Sequence, residues 1–164
     1  MNNNDIFRRL RYLFNFNDSK IIEVFKLTDS IVSETEVTDW LKKDEDPEIN
    51  EMTDQELAAF LNGLIIENRG KREGPLPEAE KELSNNMILK KLKTALDLKT
   101  DDILDLFELI DKKISKHELS AFFRSPDHSA YRPFMDQYLR NFLNALQTKS
   151  KKTYYENKSN TTSS

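Results

Sequence analysis

Apolar residues recur along most of this chain at the i, i+4, i+7 and i+8 spacing that is typical of amphipathic helices. The clearest example follows Asn4, where Ile6, Leu10, Leu13 and Phe14 share one helix face. Similar patterns, together with capping boxes in which a Ser or Thr precedes a Glu by three positions, predict four helices in the first 64 residues.

The same four helices are predicted a second time. Helix one is expected to begin at an Asn cap, near Asn4 in the first copy and near Asn86 in the second. Helix two is predicted at 18–28 and at 101–110, and helix three after the capping boxes Ser33/Glu36 and Ser115/Glu118. Helix four is predicted to follow Thr53/Glu56 in the first copy and to have Pro133 in its first turn in the second copy.

The chain is an internal repeat. Residues 3–64 align with 85–146 at a constant offset of 82 positions without a gap, and 17 of the 62 aligned positions are identical. A segment of about 60 residues is near the lower limit for burying a sufficient core alone. The predicted fold is therefore all-α, with two tandem four-helix repeats in a pseudo-two-fold relation, packed into one compact helical unit.

Domain boundaries follow from composition. The predicted segments are the first repeat at 1–69, a Gly- and Pro-containing linker at 70–84, the second repeat at 85–148 and a disordered polar tail at 149–164. Gly63 lies inside the helix-four pattern, where glycine is unfavourable, so a close helix contact is expected there. The residues predicted to be buried are Trp40, Phe60, Leu61, Phe122, Phe142 and Leu143.

The charge of the chain is distributed unevenly between the repeats. The net charge is −4 overall, but the first repeat holds 7 basic and 14 acidic residues, whereas the second holds 10 and 9. No cysteine is present, and no apolar run approaches the roughly 20 residues that span a bilayer. These features predict a cytoplasmic protein without a membrane partner, and only the second repeat is a plausible face for an anionic partner.

Catalytic chemistry has no clear signal in the sequence. The histidines are His117 and His128, for which surface or loop-capping roles are expected, and a metal site would require at least three converging ligands. Neither a nucleophile-and-base pattern nor a glycine-rich phosphate loop is present. We therefore predict no metal, no cofactor, no small-molecule substrate and no enzymatic activity.

Cations on the predicted outer face of helix one are the main candidate site. They oppose the apolar stripe in each copy, and two further arginines could extend the surface to bind RNA, DNA or an acidic protein. A solvated face is the competing interpretation, because the isoelectric point of about 5.3 is low for a nucleic-acid binder. The candidate contact residues are Arg8, Arg9, Arg11, Lys90, Lys91, Lys93, Arg124 and Arg132.

Several motifs resemble the YehS-like family of uncharacterised bacterial tandem-repeat proteins. They are residues 60–65 with Arg69 and Gly70, then 89–93, 98–104, 118–121, 124–128, 131–132 and 136–143. Some relatives have Cys-Gly where this chain has Phe134-Met135. The resemblance implies the repeat architecture and a function that is not established, and it implies no catalytic residues.

The function predicted from these observations is a non-catalytic helical-repeat interaction module that binds a protein partner of unknown identity. The alternative is nucleic-acid binding, to RNA or DNA, through the basic helix-one faces.

Overall fold

A computed structural model describes residues 1–162, and side chains are described except at 154, 155 and 159–162. The described residues form helices and connecting loops without strands, as the sequence predicts. The helices are α1 (Asn3–Phe14), α2 (Asp18–Lys26), α3 (Glu34–Trp40), α4 (Asp54–Arg69), α5 (Asn85–Ala95), α6 (Thr100–Leu109), α7 (Lys116–Phe122) and α8 (Asp136–Thr162).

The chain divides into two compact units, Met1–Asp97 and Leu98–Ser164. In the first unit, α4 packs against α1, α2 and α5, and α3 packs on α2. In the second unit, α6 packs against α7 and α8. The predicted linker at 70–84 thus lies inside the first unit, because α5 packs along α4. Helix one of the second copy, α5, thus packs on helix four of the first copy, α4, within the first unit. The two-fold relation between the copies stays a prediction.

Both copies turn the chain in the same way after their first two helices. Left-handed backbone occurs at Asn15 and Asp97 after helix one, and at Asp29 and Asp111 after helix two, with φ between 52° and 57°. Each pair is separated by the repeat offset, and Asn and Asp tolerate this region better than most residues. The capping boxes predicted at Ser33/Glu36, Thr53/Glu56 and Ser115/Glu118 are also confirmed.

Aromatic residues form the centre of each unit. Phe7, Phe25, Trp40 and Phe60 are buried together in the first unit, with Phe7 and Phe60 in an edge-on contact at 5.0 Å between ring centroids. All six residues predicted for the core are buried. The second unit also buries Phe134, which was not predicted, against Phe122 at 4.9 Å.

Gly63 lies at a close contact between α2 and α4. A Cβ atom at this position would lie 2.2 Å from the carbonyl oxygen of Val24. The expectation of a close helix contact is therefore confirmed, since only glycine lets the two backbones approach so far.

Three predicted helix starts are wrong. The cap of α1 is Asn2 and that of α5 is Ser84, whereas Asn4 and Asn86 lie inside their helices and are buried. The Asn4 amide donates to the carbonyls of Trp40 and Asn50, and its oxygen accepts from the Met52 N–H. Helix four of the second copy begins at Asp136 rather than around Pro133, which lies in the preceding loop.

The C-terminal segment differs from the predicted disordered tail at 149–164. Helix α8 continues through Thr162, while Ser163 and Ser164 lie outside the described residues. Neither glycine nor proline interrupts this segment. Lys149, Lys152 and Thr153 face Leu106 and Leu109 of α6 across a shallow cleft of about 260 Å³.

Candidate interaction clefts and charged surfaces

Arg8 on α1 is engaged within the fold. Its guanidinium group forms an ion pair with Asp5 one helical turn earlier and a second, at 3.4 Å, with Asp44. It also donates a hydrogen bond to the carbonyl oxygen of Lys42. Arg8 therefore fastens the segment after α3 to α1, and an external anion would have to compete with these acceptors.

Lys91 on α5 has a comparable internal role. Its Nζ atom lies 2.6 Å from Glu80 Oε2 and donates at 2.7 Å to Oδ1 of Asn62 on α4, and its side chain is only 15% exposed. The Asn62 amide in turn donates to Glu80 Oε1 at 3.4 Å. This Asn62–Glu80–Lys91 cluster joins α4, the linker and α5.

Glu80 is held in its charged form by this cluster. Partial burial acts to raise the pKa of its carboxyl, but the hydrogen bond from Lys91, a backbone hydrogen bond and the positive charge of Lys91 lower the pKa overall. The ion pair between Glu80 and Lys91 is therefore intact at neutral pH, and it holds the linker against α4 and α5.

The other predicted contact residues are spread over both units. Lys90 is exposed, whereas Arg9, Arg11 and Lys93 are partly buried. The Nε atoms of Arg11 and Arg124 are buried and make no hydrogen bond within the described residues. Arg124 is partly buried and Arg132 is exposed, both in the second unit. Whether these cations form one binding surface stays a prediction.

The two histidines and the acidic residues do not assemble into a metal site in the described part of the chain. His128 caps its own loop, because its Nδ1 accepts a 2.9 Å hydrogen bond from the N–H of Ala130, as predicted. His117 is exposed in the first turn of α7. Among residues 1–162, no helix has the length and apolar character required to span a membrane.

An acidic cleft of about 670 Å³ lies beside α4 in the first unit. We define it by Thr28, Asp29 and Ser30 of the α2–α3 turn, Gln55 and Ala59 of α4, and Leu76 to Lys81 of the linker. Asp29 and Glu78 make no ion pair within the described residues, while Glu80 is occupied by Lys91. Ile31, the residue after Ser30, is 88% exposed.

A basic cleft of about 420 Å³ lies on the other side of Leu76 and Pro77, which line both clefts. Its remaining wall residues include Ile65, Ile66 and Arg69 of α4, Thr94 of α5, and Lys71 and Arg72 of the linker. From the sequence, residues 70–84 were predicted to be only a linker. The signal that could have identified this site is the presence of three cations within residues 69–72.

The family assignment rests on two comparisons. A sequence model described as "Protein of unknown function (DUF1456)" matches residues 3–70 and 85–152, one match for each copy of the repeat. This chain belongs to that family. It is also 39% identical over 147 residues to "Uncharacterized protein YehS" from Escherichia coli (strain K12), covering 89% of this chain and 94% of the relative. The resemblance to the YehS-like family is confirmed, and no solved structure matches this chain.

Proposed function

We propose that this protein is a non-catalytic interaction module and that the acidic cleft binds a cationic segment of a protein partner. The observation that carries this proposal is the cleft itself, which combines hydroxyl, amide and apolar groups with two carboxylates that make no ion pair within the described residues. Ligand sites commonly have a concave shape with few convergent polar groups.

The chemistry of the partner follows from the lining. Asp29 and Glu78 favour a Lys or Arg side chain, whereas Lys81 is the single cation among the wall residues. The first repeat carries 14 acidic and 7 basic residues, so its field also attracts a cationic partner before contact. Ile31 supplies an exposed apolar side chain beside the cleft, suited to an apolar residue that flanks the cationic one.

The alternative function, RNA or DNA binding through the helix-one cations, has less support. Arg8 and Lys91 are two of the six cations on which it depends, and both are paired with carboxylates inside the first unit. Retention of nucleic acid by the purified protein at about 50 mM salt, lost on nuclease treatment, would favour the alternative.

Site-specific photocrosslinking in living cells tests the proposal. A benzophenone amino acid replaces Ile31, and the same replacement at Met135, an exposed apolar residue of the second unit, serves as the control. We expect a protein adduct specific to position 31, with the crosslink mapping next to a Lys- or Arg-containing segment of the partner.

Charge variants then connect the adduct to the cleft. Asp29→Asn combined with Glu78→Gln should remove most of the adduct, while Asp111→Asn should not affect it. Asp111 is the repeat equivalent of Asp29 with the same left-handed backbone, which Asn also tolerates, so the control is matched in geometry. An adduct that persists undiminished in the double variant, or the absence of any protein adduct at position 31, would contradict the proposal.

A further inference from the structure

Three exposed cations of the first unit, Arg69, Lys71 and Arg72, lie at and just after the C-terminal end of α4. Arg69 forms an ion pair with Asp97 at 3.0 Å, but both side chains are largely exposed, at 47% and 70%. Such exposed pairs contribute little free energy and exchange readily with other partners. Lys71 and Arg72 are exposed and form no ion pair within the described residues.

These cations surround an apolar surface. Ile65 and Ile66 are partly exposed on the last turns of α4, and Pro75, Leu76 and Pro77 of the linker line the same cleft. Gly70 ends the helix with φ of 87°, and Lys71 and Arg72, which follow it, line the cleft. Glu73 is the single acidic residue of the lining, against three cations.

The walls of this cleft are fixed by buried contacts. Asn62 lines it and belongs to the Asn62–Glu80–Lys91 cluster, which holds the linker and α5 on α4. Asn68 of α4 donates a 3.1 Å hydrogen bond to the carbonyl of Ala95 at the end of α5. The cleft is therefore formed in the free protein, and a ligand need not order it.

We propose that the basic cleft binds a small organic anion that carries its charge on an apolar body, such as a medium-chain carboxylate or phosphate ester. The volume of about 420 Å³ falls within the range of about 300 to 1,000 Å³ typical of small-ligand sites. Arg and Lys side chains bind carboxylate and phosphate oxygens, and the isoleucines would cover the apolar body. The charged residues of this site are distinct from those of the acidic cleft, although Leu76 and Pro77 line both, and the proposal does not depend on a protein partner.

Fluorescence titration of the full-length protein with 1-anilinonaphthalene-8-sulfonate, an anion with an aromatic body, measures occupancy of the cleft. We expect one saturable site per chain. Decanoate and decyl phosphate should both displace the probe, and their relative affinities identify whether carboxylate or phosphate is preferred. Inorganic phosphate, which lacks an apolar body, and decanol, which lacks a charge, should displace it poorly.

Variants locate the site. Lys71→Gln combined with Arg72→Gln should weaken probe binding about tenfold, since two exposed ionic contacts are lost. Lys112→Gln combined with Lys113→Gln makes the same change in net charge at adjacent exposed positions of the second unit, and it should leave affinity within about twofold. Thr94→Trp fills the cleft from α5 without changing charge and should also reduce binding, with the urea midpoint reporting that the fold is retained.

The proposal is overturned if the wild-type protein shows no saturable site, if the control pair weakens binding as much as the cleft pair, or if decanol displaces the probe as well as decanoate does. Full binding by a folded Thr94→Trp protein would likewise place the site elsewhere. None of these outcomes bears on the acidic cleft, because Lys71, Arg72 and Thr94 are not part of its lining.

Discussion

The two copies of the repeat retain the same interior but differ in their closest helix contact and in their charge. Phe60 and Phe142 are equivalent and both fully buried, whereas Gly63, in contact with the backbone of α2, is replaced by a buried Ala145 in the second copy. The net charges are −7 and +1. The duplicated positions thus preserve packing, while the surfaces have diverged, and both large clefts lie in the unit that contains the whole first copy.

The largest expected effect tests whether the two interiors are equivalent. Phe60→Ala and Phe142→Ala should each lower the free energy of unfolding by about 3 to 5 kcal/mol, because each removes a fully buried ring and leaves a cavity. This loss is a large part of the unfolding free energy of roughly 5 to 15 kcal/mol that is typical of domains. Urea denaturation measures the loss, and an unchanged midpoint for either variant would show that the copies are not packed alike.

The next effect sharpens the difference between the copies. Gly63→Ala should destabilise the protein by about 3 kcal/mol, because the new methyl group would overlap the Val24 carbonyl and force α2 and α4 apart. The reciprocal variant, Ala145→Gly, should cost only about 1 to 2 kcal/mol through helix propensity and a lost buried methyl group. Thermal unfolding ranks the two, and a stabilised Gly63→Ala protein would contradict the close contact.

A smaller effect concerns the linker and depends on pH. The folded-state pKa of Glu80 is lowered, so its ion pair with Lys91 stabilises the protein above the carboxyl's unfolded pKa and loses this contribution as pH falls through the lowered folded pKa. Glu80→Gln should therefore cost at most about 1 kcal/mol at pH 7, and less in acid. Glu78→Gln, at a linker carboxylate that forms no ion pair in the described part of the chain, is the matched control, and an equal loss in both variants at every pH would exclude the cluster's role.

The helices and most of the core could be predicted from the sequence because they depend on local patterns. The Ser33/Glu36 and Ser115/Glu118 boxes act within one helical turn, and the spacing of apolar residues identifies the side chains that face inward, such as Trp40 and Phe60. The repeat supports each helix assignment, because the same capping boxes and apolar spacings recur 82 residues later in the chain.

Roles that depend on distant segments could not be predicted in this way. Asn4 resembles a helix cap, but its hydrogen-bond partners lie at residues 40, 50 and 52. Lys91 lies opposite the apolar stripe of its helix, as expected for a solvated residue, yet the linker covers it and supplies Glu80. The clefts combine segments as far apart as Thr28 and Lys81, for which periodicity gives no signal.

Lys91 of α5 and Lys71 of the linker are expected to have opposite roles, with Lys91 bound inside the fold and Lys71 available to ligands. Limited acetylation of the native protein, followed by mass spectrometry at each lysine, tests this directly. We predict that Lys71 and the exposed Lys90 are modified early and that Lys91, which is bound by Glu80 and Asn62, is modified last of the three. Modification of Lys91 as fast as that of its neighbour Lys90 in the folded protein would contradict the account.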